Sequence, residues 1–153
     1  MAVLLERAAD FAAHVGKEIG ESGWVPITQE MISAFAGLTG DDHWIHVDEE
    51  RAAAGMPDGK TIAHGFFMLS LIPFLQRSIF TVRERGKGLN YGCNRVRFTS
   101  PVPVGSRVRL RQTVKACVAV DGGTRITFGC TMDVEGRERP ALVAETLVQI
   151  QDK

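Results

Sequence analysis

The sequence predicts an α+β fold in which a curved antiparallel sheet wraps one central apolar helix, and three observations carry that reading. From Phe66 to Leu75 almost no position is polar. A helix there is apolar on every side, which water tolerates only when other elements enclose it. The run is too short to span a bilayer. Val108, Leu110, Gln112, Val114, Ala116, Val118 and Val120 alternate with Arg107, Arg109, Arg111, Thr113 and Lys115, the two-residue period of a long strand whose start has one wet face. Finally, Asp121-Gly122-Gly123 and the stretch from Gly136 to Pro140 are turn signals between this strand and two further apolar runs. Connections that short make the neighbouring strands antiparallel.

Taken in order, residues 2–14 place Leu4, Leu5, Ala8, Phe11 and Ala12 at helical spacing, so an amphipathic helix on the outside of the core is expected. Val15 to Ile27 carries Gly16, Gly20, Gly23 and Pro26, too many breakers for a helix, and Trp24 to Ile27 suits a short edge strand. Thr28 then caps a helix with Met31, Ile32, Phe35 and Leu38 on one stripe, and Gly40 ends it. Asp48 caps a short helix with Glu49 and Glu50 in its first turn, where the positive end of the helix dipole favours acid, and Gly55 is its stop. Gly55 to Lys60 reads as a loop, and Thr61 to Gly65 leads into the apolar helix, which Pro73 kinks or ends. Ser70 is expected to face inward, its hydroxyl bonding a backbone carbonyl. Gln76 to Gly88, with Arg77, Arg83, Arg85 and Lys87, reads as a surface loop. Leu89 to Phe98, a corner from Pro101 to Gly105, and strands over 107–120, 124–134 and 141–150 complete the chain.

At 153 residues the chain is the size of one ordinary domain, and 1–153 is read as a single one. Lys plus Arg and Asp plus Glu are both 18, so no net charge draws the protein to nucleic acid or to a membrane surface. Cys93, Cys117 and Cys130 are odd in number and lack a Cys-x-x-Cys, which speaks against a disulfide framework and a thiolate zinc site. A reducing cytoplasm fits this usage. The N-terminus has no basic start followed by a clean apolar core, so no signal peptide is expected.

Chemistry concentrates in Leu38-Thr39-Gly40-Asp41-Asp42-His43-Trp44-Ile45-His46. Asp41 and His46 are five residues apart, and on a continuous helix they would sit roughly 140° apart around the axis. Gly40 and the turn-forming Asp41 and Asp42 allow the chain to fold back and aim both side chains into one cleft. A carboxylate beside an imidazole is a proton-transfer pair near neutrality. Either residue alone is more ordinary, Asp41 as a turn residue and His46 as a satisfied histidine under the sheet. A metal on Asp41, Asp42, His43 and His46 matches no familiar zinc spacing.

The combination resembles the MaoC-like dehydratase family, specifically the (R)-specific enoyl-CoA hydratases with the hot-dog fold. That family's signature is met at Phe35, Leu38, Thr39, Gly40, Asp41, Ile45, His46 and, after five intervening residues, Ala52. His64-Gly65 at the start of the apolar helix, Tyr91-Gly92, Val96-Arg97-Phe98 and the 101–105 corner extend the likeness over most of the chain. Where the signature has Asn-Pro this chain has His43-Trp44, a feature similar to the nodulation protein N-like branch. The resemblance implies that Asp41 and His46 activate a water against a trans-2-enoyl-CoA thioester to give the (R)-3-hydroxyacyl product. It also implies that the backbone N–H of Gly65 holds the thioester oxygen, and that two copies pair as a homodimer.

The reaction needs a base for water, a proton for C2 and donors for the oxyanion, and calls for neither metal nor redox cofactor. Two other readings stand beside it: a hot-dog acyl-CoA thioesterase, and a non-catalytic acyl-CoA-binding protein. Thioesterases of this fold resemble one another in placing a carboxylate on or near the central helix, and Phe66 to Leu75 contains none. His64 is expected to fix the loop before Gly65, and Trp44 either lines an acyl pocket or plugs space beside the helix. The arginines between 77 and 85 are a solvated face, or a site for coenzyme A phosphates.

Overall fold

A computed structural model describes residues 1–153 and shows the α+β arrangement of a hot-dog fold. The larger sheet holds β2 (Glu18–Glu21), β3 (Val25–Pro26), β5 (Gly88–Phe98), β6 (Arg107–Val120), β7 (Gly123–Val134) and β8 (Leu142–Gln151). Its order is β2-β6-β7-β8-β5, with β3 also paired to β6, and every pairing is antiparallel. Gly122 at φ 71° and Gly136 at φ 78° occupy the left-handed region that the two tight turns need. A two-residue period sets one face inward: Val108, Leu110 and Val114 on β6, and Ile126, Phe128, Cys130, Met132 and Val134 on β7, are all buried.

The central helix runs in two pieces, α4 (Gly65–Ser70) and α5 (Ile72–Gln76). The break falls at Leu71, and Pro73 stands in the first turn of α5, where its missing N–H loses no helical bond. Phe67, Met68, Ile72 and Leu75 bury themselves against the sheet. The opposite face is open in the single chain: Phe66 is 65% exposed, and Ser70, Pro73 and Phe74 face outward with it. Enclosure on all sides and an inward Ser70 are therefore not what this chain shows by itself, although the Ser70 hydroxyl does donate to the Phe66 carbonyl at 2.7 Å.

Two further expectations are corrected. Residues 2–14 form β1 (Val3–Arg7) and a 3-10 turn (Ala8–His14), not an outer amphipathic helix. The reason is a strand hidden in the supposed loop of 76–88: β4 (Phe80–Glu84) pairs with β1 in parallel, a contact no local pattern announces. The turn then drives Phe11 into the core, where its ring meets Phe80 at 4.9 Å and Phe128 at 5.4 Å, both edge to face. Phe11 belongs to a cluster of 27 buried apolar residues that joins both sheets and the central helix.

Helix α1 (Gln29–Thr39) begins and ends as its residues dictate. Thr28 Oγ1 accepts the Met31 N–H at 3.2 Å, and Gly40 closes it at φ 82°. Its buried stripe is Ile32 and Ala36 with Met31 and Phe35 half covered, whereas Leu38 is 85% exposed and leaves the stripe. After the turn come α2 (Trp44–Val47) and α3 (Glu49–Gly55), the latter capped by Asp48 Oδ1 accepting the Arg51 N–H at 2.9 Å. No helix is long and apolar enough to cross a membrane.

Candidate active site

The left-handed Gly40 turns the chain out of α1, so Asp41 emerges toward the start of α4 and the one-turn helix α2 follows with His46 on its buried side. The segment from Thr61 to His64 is clamped from both sides. The Ile62 N–H donates to Ile45 O at 3.0 Å, the Ala63 N–H donates to Val102 O, and the Val104 N–H donates to Thr61 O. The 101–105 corner thus holds the entry to α4 against α2, and brings His64 and Gly65 beside Asp41 and His46. Nitrogen and carboxylate atoms of Asp41, His46 and His64 lie within 4.8 Å of one another.

The hydrogen bonds fix the tautomer of each ring. His46 Nδ1 is 2.7 Å from the Ile62 carbonyl, which can only accept, so Nδ1 carries the hydrogen and Nε2 of the neutral ring is a free base. His64 Nε2 is 2.8 Å from the Asp41 carbonyl and donates to it by the same argument. This bond ties the Asp41 turn to the helix entry, the loop-fixing role expected of His64. The two rings stack, centroids 3.8 Å apart and 22° from parallel. His46 is 8% exposed. Burial lowers its pKa from 6.5, and His64 lowers it further, against the opposing pulls of the Ile62 carbonyl and the Asp41 carboxylate. The ring is held neutral, ready to accept a proton.

The stacking also bears on metal binding. A metal ion must lie in the plane of each ligating imidazole at about 2.0–2.1 Å from its nitrogen. Two stacked, nearly parallel rings have no common in-plane point at that distance, so His46 and His64 do not form a chelating pair in this arrangement.

Gly65 opens α4, and its N–H has no acceptor among the backbone or side-chain hydrogen bonds of the protein. The Phe98 ring covers its Cα so closely that a Cβ there would lie 2.6 Å from Phe98 Cγ. Packing alone thus demands glycine here, beside whatever a substrate demands. Trp44 leans on α3, with Arg51 stacked over its ring at 4.4 Å and the Gly55 Cα side against it, which places it as a plug under that helix. Asp42 and His43 are exposed, and the His43 ring stands edge-on to that of His46 with centroids 6.5 Å apart. Of the basic residues proposed for phosphate, Arg83 faces Glu6 across 3.6 Å on an open surface.

Two features of the site escaped the sequence. His64, expected only to brace a loop, also belongs to the cluster of Asp41 and His46 and keeps a buried Nδ1 with no partner; its place in an otherwise apolar run was the signal. Gln29 donates to the His46 carbonyl at 2.8 Å and accepts from Thr61 Oγ1, pinning α2 to the strand-like segment before α4. Nothing in its local sequence marks it.

The "MaoC like domain" family matches residues 10–134. Among characterised relatives, 3-hydroxyacyl-thioester dehydratase Z of Mycobacterium tuberculosis is 51% identical over 145 residues, covering 94% of this chain and 95% of that one. Nodulation protein N of Rhizobium leguminosarum bv. viciae is 43% identical, over 94% and 90% of the two chains. Among solved structures, the R-hydratase PhaJ1 of Pseudomonas aeruginosa in its unliganded form superposes with a TM-score of 0.73 at 20% identity, covering 91% of this chain and 83% of that one, a likeness of fold.

Proposed function

This chain belongs to the MaoC-like dehydratase family, a family of hydratase and dehydratase enzymes, and on that premise we propose that it adds water to trans-2-enoyl-CoA to give (R)-3-hydroxyacyl-CoA, and catalyses the reverse elimination. One observation carries the reading: His46 spends Nδ1 on a carbonyl, keeps Nε2 as a neutral base, and stands beside Asp41 and an unengaged N–H at a helix start.

Each step then has a residue. A water held between the Asp41 carboxylate and His46 Nε2 loses a proton to Nε2 as its oxygen bonds to C3 of the enoyl thioester. Electrons move from the C2–C3 double bond onto the thioester oxygen, and the Gly65 N–H, at the positive end of α4, stabilises that charge. Return of the proton from Nε2 to C2 restores the carbonyl and the neutral ring. The sum is H on C2 and OH on C3, and neither atoms nor charge are left over. His64 and Gln29 hold the turn and the ring in position.

Assembly belongs to the same proposal. β5 is an edge strand, and Leu89, Tyr91 and Phe98 on it, with Phe66 and Phe74 on the central helix, are exposed. An unpaired edge beside an open apolar face is what a second copy covers, so we take the working form to be a homodimer.

Incubation with crotonyl-CoA tests the reaction. Loss of the enoyl absorbance without release of free thiol, and a product oxidised by an (R)-specific but not an (S)-specific 3-hydroxyacyl dehydrogenase, is the expected result. Free thiol would instead make the protein a thioesterase, and neither change would make it an acyl-CoA binder.

A further inference from the structure

A cavity of about 340 Å³ opens between the central helix and the β5/β8 end of the sheet. It begins at Leu69, one turn beyond Gly65 on the same helix. A pocket for a plain alkyl tail is walled by aliphatic and aromatic side chains. Here Ser70 and Thr146 bring hydroxyls to the wall, Gln76 and Asn90 bring carboxamides, and no charged side chain lines it.

Two of those residues are the ends of a polar chain through the core behind the cavity. Gln112, fully buried on β6, donates from Nε2 to Gln76 Oε1 at 2.8 Å and lies 3.4 Å from Cys130 Sγ. Cys130 Sγ in turn lies 3.4 Å from Thr146 Oγ1. Gln112 Oε1 has no partner, and Gln76, its own Oε1 engaged, has no protein acceptor for its NH2 at the cavity wall. Ser70 donates its only hydroxyl hydrogen to Phe66 O and offers the cavity lone pairs. Amides inside a hydrophobic core are costly unless their hydrogen bonds are complete, and Leu or Met would fill the same volume without that cost. The protein's own bonds leave this set incomplete. Gln112 Oε1 lies behind the wall, and a polar occupant of the cavity meets the groups in front of it, taking a hydrogen bond from the Gln76 NH2 and giving one to Ser70 or Thr146. With no counter-charge in the wall, that occupant is neutral.

We propose that this cavity receives the tail of the acyl substrate and selects tails carrying a neutral oxygen function, a hydroxyl or ketone, over unsubstituted alkyl tails. The inference rests on the hydratase reading, in which Gly65 holds the thioester end and the tail extends along the helix toward Gln76.

The test compares two trans-2-enoyl-CoA substrates of one chain length, one with an unsubstituted tail and one hydroxylated at its far end, by kcat/KM on the native protein. Crotonyl-CoA, too short to reach the cavity, reports hydration by itself. A site built to bond a substrate hydroxyl discriminates strongly against its absence, so a preference of about tenfold or more for the hydroxylated tail is expected. Gln76→Leu and Thr146→Val should each shrink or invert that ratio. Hydration of crotonyl-CoA together with equal or better use of the unsubstituted tail overturns the tail proposal and leaves the hydratase reading standing. No hydration of any of the three overturns both. The native preference decides the matter even where a variant fails to fold.

Discussion

His46 uses one ring nitrogen to hold its place and keeps the other for chemistry, and the consequence is a particular pH dependence. Burial lowers its pKa from 6.5, so the base form persists below the pH at which an ordinary histidine would be half protonated. The acid limb of kcat/KM, which reports the free enzyme, should therefore have its midpoint below pH 6.5. A midpoint above 6.5 in a pH–rate profile contradicts the assignment. The same shift affects stability. Between the lowered folded value and 6.5 the unfolded chain binds the proton that the folded one refuses, so this contribution is complete above about 6.5 and declines as the pH falls below it. Asp41, His46 and Gly65 were singled out in the sequence by their fit to a family signature, and the structure brings Asp41 and His46 together near the start of α4. The stacking of His64 on His46 and the bridge made by Gln29 were not legible there, since both depend on segments brought together from distant parts of the chain.

Elements defined by local chemistry were readable and those defined by distant partners were not. Thr28 and Gly40 bound α1 because a cap and a left-handed stop act within a few residues. The long strands β6 to β8 announced themselves through alternation and glycine turns. At the N-terminus, Leu5, Ala8 and Phe11 satisfy a helical stripe as well as they satisfy a strand and a 3-10 turn, and only pairing with β4 decides between them. Leu38 and Ser70 were misdirected for a related reason: an apolar run does not say which of its faces a single chain covers. The structure makes the N-terminal segment part of the core, so Phe11→Ala should cost about 3–5 kcal/mol, the range for removing a buried aromatic ring. Denaturant unfolding measures it at unchanged m-value, and a loss near zero would mean that the 3-10 turn is dispensable wrapping.

At the scale of the whole molecule, the half-open central helix and the long β5 edge carry the prediction of assembly. Light scattering at micromolar concentration should give twice the 16.7 kDa chain mass. A persistent monomer, or a stable complex only with a different chain, contradicts the homodimer. The central claim is that Asp41 and His46 act together on one water, and variant kinetics test it most directly. Asp41→Asn keeps the shape of the side chain and removes its charge, while His46→Ala removes the imidazole. Each single change should cut crotonyl-CoA hydration severely, and the double change should be little worse than the worse single one, because groups acting as a unit are non-additive. Affinity for a saturated acyl-CoA should stay within a few-fold in all three variants. An Asp41→Asn protein that hydrates crotonyl-CoA at a near-native rate would contradict the account.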